Sequence, residues 1–207
     1  DMNDSPTVRA LTPVAAAAGG VIVGSIPEAA DGMYYNTAIL VGPDGLIGTQ
    51  RKLHLPEYEK RFYSPGDGVG VFHAAGATLG VTVCFDIWFP ALAAMQKNMG
   101  AQIFCVPSAF GAPVTPTFLP IRARESQVFI VNGNRCGSEG MDGVEEAFLG
   151  HSRIISPDGA VLAEAGAGEE LALIDVDLDE TNHPAFASQI CRNFPTEQEK
   201  YEIRFRR

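Results

Sequence analysis

Val81-Thr82-Val83-Cys84-Phe85-Asp86-Ile87-Trp88-Phe89-Pro90 carries an apolar, β-branched run up to a cysteine at the point where a helix is predicted to begin. The first N–H groups of a helix lack intrahelical partners and sit at the positive end of its dipole. A thiol delivered there is more easily ionised, and an oxyanion formed beside it finds donors. The competing reading is a small buried hydrophobe, since free cysteine is among the most buried residue types. The segment upstream separates the two.

That segment is Arg51-Lys52-Leu53-His54-Leu55-Pro56-Glu57-Tyr58-Glu59-Lys60-Arg61-Phe62-Tyr63-Ser64-Pro65-Gly66-Asp67, charged, aromatic and closed by a turn signal. It follows two predicted strands, Tyr35 to Val41 and Leu46 to Gln50, joined by Gly42-Pro43-Asp44-Gly45, whose order fits a tight hairpin. Lys52 therefore stands at a strand end. An ammonium brought next to a cysteine favours its thiolate and stabilises a tetrahedral intermediate.

Arg51-Lys52-Leu53-His54-Leu55, then Glu59 ahead of Ser64-Pro65-Gly66-Asp67, then Cys84-Phe85-Asp86 after a strand, resembles the nitrilase superfamily of carbon-nitrogen hydrolases. Val106-Pro107-Ser108-Ala109-Phe110, Arg122-Ala123-Arg124-Glu125-Ser126-Gln127, Asn134-Arg135-Cys136-Gly137, Gly150-His151-Ser152 and Ser156-Pro157-Asp158-Gly159 fall where the family has similar elements. The resemblance implies an α/β fold, a four-layer αββα sandwich of two sheets with helices outside. It also implies a glutamate, lysine and cysteine triad. Cys84 would be the nucleophile, Lys52 would hold the oxyanion with the Phe85 N–H, and Glu59 would match a second glutamate that orients the lysine or the substrate.

The glutamate that acts as general base in the family precedes the segment with which this chain opens, and no residue here matches it. Glu28 follows a strand in an Ile-Pro-Glu setting, but Asp31-Gly32-Met33-Tyr34-Tyr35-Asn36-Thr37 after it resembles a later hairpin entry. It is read as a solvated loop residue. Asp1 at the start and Tyr201 to Arg207 at the end suggest an incomplete chain, which by the resemblance lacks the N-terminal segment with that glutamate: a single hydrolase domain over residues 1–207, expected to show little or no turnover by itself.

A length of 207 residues, 46% hydrophobic and 19% charged, suits one sizeable core. The net charge of -10 argues against nucleic acid, which needs a basic surface. Cys84, Cys105, Cys136 and Cys191 lack the paired spacing of a zinc site or disulfide framework, so neither metal nor cofactor is expected and a reducing cytoplasm is the natural setting. Cys105 and Cys136 read as core. No stretch has the length of a membrane span, and residues 1–20 lack the features of a signal peptide.

Further strands are predicted at Val21 to Ile26, Thr78 to Val83, Ile103 to Pro107, Val128 to Asn132, Ser152 to Ile155 and Leu171 to Val176, with helices at Pro90 to Met99 and Thr117 to Ser126. By the resemblance those helices are candidates for a homo-oligomer interface, through Leu92, Met95, Phe118, Leu119 and Ile121. Tyr58, Phe62, Phe85, Trp88 and Phe110 are expected to exclude water from the site. Phe85 and Asp86 after the cysteine are closer to amidase and carbamoylase branches than to nitrilases. The expected partner is a small amide or carbamoyl compound, neutral or amine-bearing, with Arg122, Arg124 and Arg135 available if it carries a carboxylate. A nitrile hydrolase, an amide-transferring enzyme and a non-catalytic binding fragment are the alternatives.

Overall fold

The computed structural model describes residues 2–141 and 144–182; Cys191 and Tyr201 to Arg207 lie outside them. In chain order the elements are α1 (Pro6–Ala18), β1 (Ile22–Ala30), β2 (Met33–Gly42), β3 (Gly45–Arg51), β4 (Val71–Ala74), β5 (Ala77–Val81), α2 (Pro90–Asn98), β6 (Ile103–Ser108), α3 (Phe118–Ser126), β7 (Phe129–Asn134), β8 (Cys136–Met141), β9 (Val144–Leu149), β10 (Arg153–Ile155) and β11 (Val161–Glu164).

Three strands form one sheet in the order β1-β2-β3, six form another in the order β11-β10-β7-β6-β5-β4, and β8-β9 is a separate hairpin. The four layers follow from where alternate side chains go. Along β2, Ala38 and Leu40 point into a cluster with Leu79, Val81 and Val83 between the two sheets. Ile39 and Val41 point the other way, against Val8 and Leu11 of α1. A strand covered on both faces reads as a continuous apolar run, and Ala38 to Val41 is one. On the far side of the larger sheet, Phe104, Val106 and Ile130 pack with Ala93, Leu119 and Ala123 of α2 and α3. This is the expected αββα sandwich.

β5, β6 and β7 run parallel. Their C-terminal ends therefore open on one edge of the sheet, the place where open α/β sheets bind ligands. Helix ends follow local chemistry: α1 closes on Gly19, whose left-handed φ of 62° lets its N–H reach back to the last turn.

Several expectations need correction. Cys84 does not open a long helix; it begins a five-residue 3-10 turn, Cys84–Trp88, and α2 starts only at Pro90. Leu171 to Val176 is not a strand, and Leu171 and Leu173 are 78% and 77% exposed. Apolar alternation makes a strand only where a neighbouring edge accepts its backbone, and this segment has no such neighbour among the described residues. The β8-β9 hairpin escaped notice because Cys136 to Leu149 has little apolar alternation, although Asp142-Gly143 is a hairpin cue. Leu92 and Leu119 are core, whereas Met95 and Ile121 are exposed.

Glu28 is neither in a loop nor solvated. It lies in β1 opposite Tyr35, takes a bidentate contact from Arg51 (Nε 2.9 Å, Nη2 2.7 Å) and accepts the Thr37 hydroxyl at 2.6 Å. The Arg51 guanidinium also covers the Tyr35 ring at 3.7 Å. The hydrogen bond from Arg51 holds the Glu28 carboxyl below its ordinary 4.5, against the opposing effect of burial. A depressed carboxylate stabilises the fold above its unfolded value and loses that contribution as pH falls through the folded value. Glu28→Gln is therefore expected to lower the urea midpoint at neutral pH and to reduce its decline below pH 4.5; parallel pH profiles for both proteins would contradict this.

Candidate active site

Strand β3 ends at Arg51, and the backbone of Lys52 is pinned on both sides. Its N–H donates to Asn36 O and its carbonyl accepts from Gly66 N–H, each at 2.8 Å. The second bond needs a residue without a side chain, because a Cβ on Gly66 would meet Arg51 Cβ at 2.6 Å and Arg51 O at 2.9 Å. The chain between these residues folds back so that the short turn Glu59–Arg61 faces the lysine. Lys52 Nζ donates to Glu59 Oε1 at 2.6 Å, with side-chain exposures of 0% and 12%. Among the described residues the ammonium has no second acceptor, which leaves two N–H donors for another oxygen. Glu59 Oε2 is likewise buried without a partner. Buried groups of this kind are costly unless something completes them.

Cys84 reaches the same cleft from β5. Thr82 N–H still bonds Cys105 O at 3.0 Å, and the chain then breaks sharply, with Cys84 at a φ of +49°. Left-handed backbone is strained for a residue with a side chain and recurs where a group must be aimed. Burial pushes the Cys84 thiol above the ordinary range, while Lys52 and the N–H groups of Ala109 and Phe85 pull it down and Glu59 adds to the rise. The expectation of a thiol acidified by a helix terminus is thus corrected: the nearby lysine and two loop amides act against a larger desolvation.

The cleft has a volume of about 840 Å³. Lys52, Glu59, Tyr58, Cys84 and Arg135 lie on its wall, with Val21, Val23, Leu79 and Ile103 forming its apolar side. Cys105 also lines it, but burial alone drives that thiol to about 12, so it is an un-ionised hydrophobe beside the charged pair. Burial, then the neighbouring Glu59 charge, raises the Tyr58 phenol to about 12 as well, leaving a neutral hydroxyl.

The structure brings Lys52, Glu59 and Cys84 together and separates other candidates from them. Phe85 follows the thiol with its N–H toward the sulfur, while its ring contacts Trp88 and Phe89. Of the five aromatic residues expected to enclose the site, only Tyr58 lines the cleft; Phe110 is core, Phe62 is exposed, and Trp88 packs on Phe118 at 4.4 Å. Arg122 is buried and donates to the carbonyls of Ile87 and Trp88, bracing the cysteine turn. Arg124 bonds Asp158 O at a separate depression. Arg135 alone of the three arginines reaches the cleft, and its exposed guanidinium pairs with Glu139, which does not line the cleft, at 2.5 Å.

Sequence reasoning missed the Ala109 amide, because a backbone donor leaves no side-chain signature. It also missed Asn134, whose Oδ1 accepts Phe110 N–H at 2.7 Å and whose Nδ2 donates to Gly150 O at 2.7 Å, fixing the loop that carries Ala109. The Asn134-Arg135 motif was the available signal.

A thiol, a buried ammonium and backbone donors thus meet in one cleft where parallel strands end between two stacked sheets. The chain belongs to the carbon-nitrogen hydrolase family, which matches residues 2–183. It is 38% identical to a nitrilase of Pyrococcus abyssi over 177 residues, covering 84% of this chain and 66% of that protein. It is 35% identical to an omega-amidase of Xenopus tropicalis over 173 residues, covering 77% of this chain and 62% of the relative. The chain thus spans somewhat less than two thirds of the length of these relatives. Among solved structures, Nit3 of Saccharomyces cerevisiae, a member of branch 10 of the nitrilase superfamily, superposes with a TM-score of 0.78 at 29% identity, over 95% of this chain and 72% of that one. A mutant amidase from Nesterenkonia sp. AN1, with acrylamide added at its active-site cysteine, gives 0.74 at 28% identity, over 90% and 76%.

Because Lys52 opposes the desolvation of Cys84, Lys52→Met is expected to move the pH profile of Cys84 alkylation upward. Site-resolved rates with iodoacetamide across pH test this, and an unmoved profile would show that the ammonium does not act on the sulfur.

Proposed function

We propose that the protein is a hydrolase of non-peptide carbon-nitrogen bonds that acts on a small amide through a thioester at Cys84. The observation that carries this reading is the fully buried Lys52 ammonium, held by Glu59 at 2.6 Å in the cleft that also holds Cys84, with N–H donors to spare. Cys84 Sγ attacks the amide carbon as its proton passes to a carboxylate base, which returns it to the departing nitrogen. The carbonyl oxygen becomes an oxyanion held by Lys52 Nζ and the Phe85 N–H. The C–N bond then breaks as the nitrogen takes a proton and departs as ammonia or an amine, leaving a thioester that water converts to a carboxylic acid and the free thiol.

Proton transfer calls for a carboxylate not already committed. Glu59 is the only carboxylate on the cleft wall among the described residues, and one of its oxygens is taken by Lys52. The family resemblance assigns the base to a further glutamate.

The cleft volume is in the range of small-molecule sites. The amidase relatives and the Phe85-Asp86 pair favour an amide or carbamoyl group over a nitrile, and the apolar Ile87, Trp88 and Phe89 shortly after Cys84 favour a substrate without a carboxylate. We also propose a single domain that assembles as a homo-oligomer through α2 and α3, where Met95, Met99 and Ile121 are exposed; sedimentation of a monomer would refute this assembly.

Intact-mass analysis after incubation with a panel of small amides, with ammonia measured in parallel, tests the activity. The expected result is an acyl adduct that maps to Cys84 and is absent from Cys84→Ala. Ammonia release surviving in Cys84→Ala, or no adduct with any amide on folded protein, would overturn the proposal.

A further inference from the structure

Asp86 belongs to the sequence motif around the nucleophile, yet the chemistry above gives it no role. Its side chain is 1% exposed. Oδ1 accepts the His54 N–H and the His54 imidazole Nδ1, both at 2.8 Å. Oδ2 accepts from Leu53 N–H at 3.4 Å and from Val83 N–H at 3.3 Å. Leu53 and His54 immediately follow Lys52, and Val83 immediately precedes Cys84. One buried carboxylate therefore bridges the two loops that carry the ammonium and the thiol.

We propose that Asp86 is a positioning residue that sets the Lys52 ammonium against the Cys84 sulfur by tying these loops together. The chemistry of the contacts calls for a carboxylate in particular. All the partners on Oδ1 and Oδ2 are donors, and an ionised carboxylate is acceptor-only. An asparagine of the same size would turn an NH₂ group toward one set of N–H donors and lose those bonds. His54 is oriented from its other side, because its ring stacks on Phe89 with centroids 3.5 Å apart and planes within 8°. Phe89 immediately precedes α2, so the stack and the carboxylate together fasten the lysine loop to the cysteine turn from both ends.

A cycle of Asp86→Asn and Lys52→Met, singly and together, tests this through the site-resolved alkylation rate of Cys84 by iodoacetamide, with thermal unfolding recorded for each protein. Asp86→Asn is expected to slow the reaction by about tenfold, and by less than about twofold when Lys52 is already Met, because the placement of an absent ammonium has no consequence. Equal fold-losses in both backgrounds would overturn the proposal, since a purely structural role acts regardless of residue 52. Should Asp86→Asn not fold, His54→Phe keeps a ring to stack on Phe89, removes one donor, and is expected to give a smaller loss with the same dependence on Lys52. The inference rests on Cys84 as the reacting thiol, but its failure is distinguishable from that of the activity: absence of an acyl adduct with amides removes the hydrolase reading, whereas additive rates remove the role of Asp86.

Discussion

An ammonium with no exposure to water must be compensated by its surroundings, and a single carboxylate oxygen of Glu59 at 2.6 Å does this for Lys52. Removing one partner of such a buried pair typically costs about 3–5 kcal/mol, since the other charge is left stranded. The pair also falls short of full satisfaction: Lys52 keeps spare donors and Glu59 a bare oxygen. A site complete in itself would be stable and inert. In the proposed reaction an oxygen of the substrate completes this one, which links the electrostatics of the resting protein to that chemistry.

The rest of the fold can be understood as the means of bringing a sulfur to that ammonium. Lys52 comes from the end of β3 in the smaller sheet and Cys84 from the end of β5 in the larger one, so the sandwich itself sets their approach. Apolar packing between the sheets holds the two layers together. Packing of this kind is non-directional and fixes the position of a side chain only coarsely. Directional contacts supply the remainder: Asp86 joins the two loops, Arg122 holds the carbonyls that end the cysteine turn, and Asn134 fixes the loop that presents Ala109.

The sequence was most legible where chemistry is concentrated in consecutive residues. Lys52, Glu59 and Cys84, which share one cleft, stand in dense motifs, and β2 and β3 flank the Gly42-Pro43-Asp44-Gly45 turn whose order signals a hairpin. Contacts between distant segments were harder to read. The Asp86 side chain finds its partners 32 and 33 residues away on the lysine loop, and nothing local announces that a motif aspartate is a bridge. Glu28 resembled a loop residue because its partner Arg51 is two strands removed. Leu171 to Val176 has the alternation of a strand, yet alternation describes only the faces of a strand and says nothing of whether an edge is there to receive it.

The most direct test is a crystal structure of the protein after reaction of its thiol with acrylamide or fluoroacetamide, the reagents whose adducts are seen at the active-site cysteine of the Nesterenkonia amidase. The account predicts an adduct on Cys84 whose carbonyl oxygen lies within hydrogen-bonding distance of Lys52 Nζ and points at the Phe85 N–H. An adduct oxygen turned to solvent, with Lys52 bonded to Glu59 alone, would contradict it.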